Sequence, residues 1–118
     1  MYRLRVESRF DAAHKLEGYK GICSRLHGHN WKVEIFVVGQ KINDIGILVD
    51  YGILKEKLRA ITDRIDHSYL NDFEEIGNPT SENISKYIFK NLENVFKTVK
   101  LEKVRVWENQ ESWCEYFE

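Results

Sequence analysis

Cysteine and proline are scarce in this chain, and long apolar runs are absent. Two cysteines, Cys23 and Cys114, cannot build the disulfide framework of a small secreted domain. No stretch approaches the roughly 18 apolar residues of a membrane span. The chain opens on a charged, alternating segment instead of a basic n-region followed by an apolar h-region. These absences predict a cytoplasmic protein without membrane association. Charge of one sign is missing too. With 18 basic and 19 acidic residues the formal net charge is -1, so no overall field recruits nucleic acid or an anionic membrane. There is no low-complexity linker and no internal repeat. A chain of 118 residues is one domain's worth and buries about two-thirds of its unfolded surface. A single domain over residues 1–118 is therefore expected.

What is present alternates clearly. Residues 2–12 place Tyr2, Leu4, Val6, Ser8 and Phe10 on one face and Arg3, Arg5, Glu7 and Arg9 on the other, the pattern of a half-buried strand. A polar, glycine-bearing loop over 13–28 leads to a second strand over about 29–38, closed by Gly39. Asp50 is placed to cap a helix over 51–65, whose apolar stripe is Leu54, Leu58, Ile61 and Ile65. Residues 66–72 read as a connecting loop. Thr80 is the expected cap of a second helix reaching about residue 97 and burying Ile84, Ile88, Leu92 and Val95. Residues 101–108 and 112–117 form a hairpin around Asn109-Gln110-Glu111. In the first of these strands Leu101, Lys103, Arg105 and Trp107 share one face, with Val104, Val106 and Glu108 on the other. The order ββααββ predicts an α+β fold, a four-stranded antiparallel sheet with both helices on one face. Its open edges would be closed by oligomerisation.

The chemistry concentrates in Cys23-Ser24-Arg25-Leu26-His27-Gly28-His29. Residues i and i+2 of a strand point to one face roughly 6.5–7 Å apart, so His27 and His29 can converge on a metal. His14, at the matching end of the preceding strand, supplies a third imidazole if the two strands form a hairpin. Three histidines with one open position is the donor set of catalytic zinc. Surface or hydrogen-bonded imidazoles are the plainer alternative. Cys23 reads either as a thiolate base beside a metal or as a fourth ligand of a closed structural site. Asp66-His67 is either a polar helix end or a carboxylate fixing an imidazole tautomer. Glu108 is either a strand-end carboxylate or a bidentate acceptor for a planar donor pair such as a guanine-like base offers.

Taken together, Phe10-Asp11-Ala12-Ala13-His14, Cys23-x-x-x-His27-Gly28-His29, Gly46-Ile47-Leu48-Val49-Asp50-Tyr51, Ile65-Asp66-His67-x-x-Leu70-Asn71, Pro79-Thr80-Ser81-Glu82-Asn83-Ile84 and Val104-x-Val106-x-Glu108 resemble the 6-pyruvoyltetrahydropterin synthase superfamily. The resemblance spans nearly the whole chain. Within it, the short Cys-x-x-x-His-Gly-His spacing is most similar to the 6-carboxytetrahydropterin synthases of queuosine-type deazapurine synthesis. Tyr51 stands where that family often has Phe, and Asn109 where Thr is common after the glutamate. The resemblance implies the tunnelling fold, a homohexamer of two stacked trimers with active sites between subunits, and a zinc lyase acting on 7,8-dihydroneopterin triphosphate. It implies zinc on His14, His27 and His29, catalysis by Cys23, Asp66, His67 and Glu108, and pterin contacts from Glu108 with Thr80 or Ser81. The alternatives are a pyruvoyltetrahydropterin synthase, a folate-type aldolase on the same substrate, and a non-catalytic zinc- or pterin-binding oligomer.

Overall fold

A computed structural model describes residues 1–118, with the exception of the Cys23 side chain. Its frame is a long hairpin of β1 (Tyr2–His14) and β2 (His27–Gly39), antiparallel from Tyr2↔Gly39 to His14↔His27. Alternation sends Val6, Phe10, Ala12 and His14 of β1, with Trp31, Val33, Ile35 and Val37 of β2, to one buried face. Each strand runs two residues further toward the loop than the residue pattern suggests. Ala13 and Gly28 have little strand preference of their own, but opposite one another they satisfy their backbone groups in the ladder. His14 and His27 thus belong to the last rung of the hairpin, and the connection between them shrinks to 15–26, with one short 3-10 turn over Ile22–Ser24.

Helix α1 (Tyr51–Ile65) begins where expected, with the Asp50 carboxylate accepting from the Gly52 N–H at 2.7 Å. Its whole expected stripe, Leu54, Leu58, Ile61 and Ile65, is buried. Helix α2 spans Ser81–Leu92, capped by Thr80, whose hydroxyl accepts from the Asn83 N–H at 3.1 Å. It stops well short of residue 97. Five more residues would add about 7.5 Å of helix, whereas the chain must turn back to enter the next strand at Lys100. Val95 is accordingly exposed, not buried, and Phe96 only packs against the edge of the core.

The sheet has five strands, not four. After α1, β3 (Ser68–Tyr69) pairs in parallel with Ala12 and Ala13, giving the order β3-β1-β2-β4-β5 with β4 at Lys100–Trp107 and β5 at Trp113–Phe117. Two residues are too few to show a period, which is why this edge strand reads as loop. The chain is steered there by His67, whose backbone is left-handed (φ 54°) and whose N–H donates to the Asp11 carbonyl at 2.6 Å. Alternation in β4 is broken by a bulge, since Phe36 pairs with Lys103 but Val37 with Leu101. Leu101 therefore joins Val104 and Val106 in the core instead of sharing a face with Lys103 and Arg105. Glu108 lies one residue past the end of β4, where its N–H donates to the Ser112 carbonyl at 3.3 Å.

Both helices contribute to one apolar cluster with the same face of the sheet. No helix is long and apolar enough to cross a membrane. The fully buried Leu58 sits where α1 meets the sheet. Leu58→Ala should lower unfolding free energy by about 2–5 kcal/mol through lost burial and a residual cavity. Urea denaturation at fixed metal content measures this, and a loss below about 1 kcal/mol would mean the α1 contact is not part of the cooperative core.

Candidate metal centre

The buried face of the hairpin ends in three imidazoles. His14 and His27 occupy the terminal rung, and His29, opposite Ala12, lies two residues inward on the same face. Their ring centroids are 4.5, 5.1 and 4.7 Å apart for the 14–27, 14–29 and 27–29 pairs. Trp31 walls the group from the core side, its ring edge-on to His14 and His29 and its indole N–H donating to the Ala12 carbonyl at 3.2 Å.

Hydrogen bonding fixes the tautomers. His14 Nδ1 lies 2.8 Å from the Pro79 carbonyl, and His27 Nδ1 lies 2.7 Å from the Arg25 carbonyl. A carbonyl only accepts, so each Nδ1 bears a proton and each neutral ring presents a lone pair at Nε2. The two Nε2 atoms face one another at 3.0 Å. Facing lone pairs at that distance repel unless a proton or a cation lies between them. Burial pushes the His14 pKa down, which disfavours the proton. A cation between the two nitrogens would remove the repulsion.

The third and fourth donors fit the same conclusion. His29 Nε2 is buried and makes no hydrogen bond, although Glu108 Oε1 is 3.0 Å away and also lies 3.9 Å from His14 Nε2. Contact without hydrogen-bond geometry is what two ligands of one ion show. A tetrahedral ion with bonds of ~2.1 Å keeps its ligands roughly 3.4 Å apart, and the observed separations straddle that value. His14, His27, His29 and Glu108 can therefore hold a metal ion.

Asp66 and His67 form a separate group with Asp11. Asp66 Oδ1 accepts from the Asp11 N–H at 2.9 Å, and its Oδ2 is 2.9 Å from His67 Nδ1. The Asp11 N–H and then His67 hold the Asp66 carboxyl below its ordinary range, while the Asp66 hydrogen bond raises His67. His67 is exposed, and it shares with His29, Asn30 and Gly28 the wall of a cavity of about 370 Å³. A larger cavity of about 810 Å³ is lined by Arg9, His29, Lys32, Trp107 and Glu108.

Comparison with known proteins agrees with this architecture. The model of the family described as 6-pyruvoyl tetrahydropterin synthase matches residues 3–118. The chain belongs to that family. A Synechocystis protein named 6-carboxy-5,6,7,8-tetrahydropterin synthase is 34% identical over 122 residues, covering 99% of this chain and 94% of that protein. A Bacillus subtilis protein of the same name is 32% identical, covering 98% of this chain and 84% of that one. Among solved structures, the Caenorhabditis elegans 6-pyruvoyl tetrahydropterin synthase superposes with a TM-score of 0.88 at 27% identity, covering 99% of this chain and 95% of that one.

Against that family background, the structure brings His14, His27, His29 and Glu108 together and leaves Asp66 and His67 in a separate group with Asp11, across a shared cavity from His29. Cys23, the expected base, lies outside the described residues. The Thr80 hydroxyl serves as the α2 cap, and Ser81 begins the helix. From this segment it is the carbonyl of Pro79 that reaches the histidines. Residue types gave no signal for the Pro79 and Arg25 carbonyls, because any residue carries one.

The histidines also set a pH dependence for metal-free protein. His14 and His29 are lowered below their ordinary value of 6.5, chiefly by burial. Below that value the unfolded chain binds protons that the fold refuses, so their contribution is complete above about pH 6.5 and is lost as pH falls through the folded pKa values. His67 works in the opposite sense, but at an exposed position. The urea midpoint of metal-free protein should fall between pH 7 and pH 5, and less steeply in His14→Asn. A flat midpoint over that range would mean the imidazoles protonate as freely in the fold as out of it.

Proposed function

We propose that this protein is a zinc-dependent carbon-carbon lyase of the 6-carboxytetrahydropterin synthase type, built as one domain over residues 1–118. It converts 7,8-dihydroneopterin triphosphate and one water to 6-carboxy-5,6,7,8-tetrahydropterin, acetaldehyde and triphosphate. The observation that carries this reading is the facing pair of Nε2 lone pairs at 3.0 Å, in a chain whose relatives bear that enzyme's name.

His14, His27 and His29 hold the ion as neutral imidazoles, their orientation set by the Pro79 and Arg25 carbonyls. Three imidazoles with a fourth, exchangeable position suit zinc in a catalytic role. When bound, zinc polarises the substrate's side-chain hydroxyls and stabilises developing oxyanion charge. Glu108 accepts from the 2-amino and ring N–H groups of the pterin, and leaves the vicinity of His29 to do so. Cys23 as thiolate removes a carbon-bound proton, and His67, held by Asp66, exchanges protons with the side-chain oxygens. Thr80 or Ser81 assists Glu108 in holding the pterin.

Assembly into a homohexamer, with sites between subunits, fits the two free sheet edges at β3 and β5. It also fits the exposed Tyr2, Ile42, Ile47 and Tyr51, which line an apolar cavity of about 320 Å³. Such a set of large apolar side chains in one place is typical of an interface.

Two outcomes follow. His27→Ala should lose its zinc to a chelator that leaves the unaltered protein loaded, because two imidazoles do not hold the ion. Full stoichiometry in that variant, by elemental analysis, would remove the proposed coordination. Purified protein given dihydroneopterin triphosphate should release acetaldehyde and leave a carboxylated tetrahydropterin. A mass spectrum of the product separates the readings: a pyruvoyl product would make it a pyruvoyltetrahydropterin synthase, a hydroxymethyl product a folate-type aldolase, and no turnover with zinc bound a binding protein.

A further inference from the structure

Of the three imidazoles, His14 alone takes its orienting partner from a distant part of the chain, the Pro79 carbonyl 65 residues away. We infer that Asn78 is the positioning residue that holds this carbonyl in place, and through it aims the His14 Nε2 lone pair at the ion. The inference rests on the metal centre of the proposed function.

Pro79 supplies the acceptor but cannot fasten itself. Its ring fixes φ and leaves it no N–H to donate, and its carbonyl is the group that meets His14. Its placement falls to its neighbours. The Asn78 carboxamide grips the backbone of Glu17 on both sides, Oδ1 accepting from the N–H at 2.9 Å and Nδ2 donating to the carbonyl at 3.1 Å. A carboxamide presents an acceptor and a donor side by side, as a neighbouring strand would, so Asn78 adds a rung beyond the end of β1. The Asn78 main-chain carbonyl is held as well, by the Thr80 N–H and by Asn83 Nδ2, each at 2.8 Å.

These bonds close a ring. It runs along the chain from His14 to Glu17, across the carboxamide to Asn78, through the peptide bond to Pro79, and from its carbonyl back to His14 Nδ1. A ring of so few residues leaves the carbonyl little freedom. Opened at Asn78, it leaves Pro79 held from the α2 side only. His14 is fully buried, so its Nδ1 proton has no water to turn to if the carbonyl drifts. The imidazole can then carry its proton on Nε2 instead, and the centre loses a donor.

Asn71 supplies the contrast. It clamps Lys15 in the same manner, at 2.9 and 2.8 Å, but it follows β3 and has no connection to Pro79. The stretch after His14 is thus fastened twice. Of the two fasteners, Asn78 is the one whose next residue is the His14 acceptor.

The test compares Asn78→Ala with Asn71→Ala, which removes the same pair of bonds from the same stretch and leaves Pro79 as it is. Zinc affinity is measured by chelator competition, and the His14 Nδ1–H resonance by long-range proton–nitrogen spectra of the zinc-loaded protein, with His27 Nδ1–H as internal reference. Asn78→Ala should bind zinc about tenfold more weakly, the lower end of what loss of a metal-orienting partner costs. Its His14 resonance should shift or broaden while that of His27 stays. Asn71→Ala should keep the zinc affinity and both resonances of the unaltered protein. If Asn78→Ala does not fold, Asn78→Asp replaces it, since it keeps the shape and the acceptor for the Glu17 N–H but loses the donor, and the same two changes are expected. Unchanged affinity and resonance in the Asn78 variant, whatever its urea midpoint, would overturn the assignment and leave Asn78 a loop fastener. Equal losses in Asn71→Ala would overturn it too, since the effect would then belong to the stretch as a whole. A protein that shows the expected pattern yet releases no acetaldehyde would sink the reaction and leave the role of Asn78 standing.

Discussion

Two ring nitrogens face each other at 3.0 Å at the end of the β1–β2 hairpin, and each ring is already committed on its far side to a backbone carbonyl. His14 cannot turn away without leaving a buried N–H or C=O unpaired, a loss of about 1–3 kcal/mol, whereas His27 would give up an exposed bond to Arg25. The arrangement therefore has to be held by everything around it. One carbonyl comes from Pro79, one residue before the α2 cap, so the packing of α2 on the sheet and the Thr80 cap both act on His14. The other comes from Arg25, which ties the last residues of the β1–β2 connection to His27.

Register does the rest. A one-residue slip of β1 against β2 would send His14 to the opposite face of the sheet from His27 and His29. On that opposite face the nearly buried Glu34 carboxylate of β2 is hydrogen-bonded by Arg5 from β1 and by the Trp107 indole from β4, with Arg105 nearby. Burial alone would raise its pKa, but Arg5 and Trp107 outweigh that and hold the carboxyl low. A carboxylate fixed between three strands is expensive to misplace. It pins β1, β2 and β4 to one another, and so fixes where Glu108, just past the end of β4, meets the histidines of β1 and β2.

Most of the fold was legible because its signals are local. The Asp50 and Thr80 caps and the α1 stripe are residue patterns with one physical reading, and the structure repeats them. What escaped is non-local. The β3 edge strand exists because Asp66 and His67 bind the backbone of Asp11, 55 residues away in the case of Asp66. The β4 bulge exists because Val37 pairs with Leu101, and α2 ends early because the chain has to reach β4. The site divides in the same way. Three histidines at matching strand ends are visible as residue types, whereas the carbonyls that fix their tautomers are visible only once the chain is folded.

The Asp66-His67 pair tests how far one chain can account for the chemistry. A general acid or base must come within hydrogen-bond reach of the atom it serves, about 2.6–3.2 Å or one water further. His67 is exposed, stands outside the histidine group and reaches it only across a shared cavity. Its left-handed backbone and its bond to the Asp11 carbonyl hold it on the β3 edge of the sheet, and nothing in the chain would draw it inward. Substrate bound to one set of histidines would therefore meet that chain's own His67 only by spanning the cavity. The proposed assembly removes the difficulty if the β3 edge of one copy closes on the histidine group of another, since an exposed, pre-oriented imidazole at an open sheet edge is already in position for a neighbour's site.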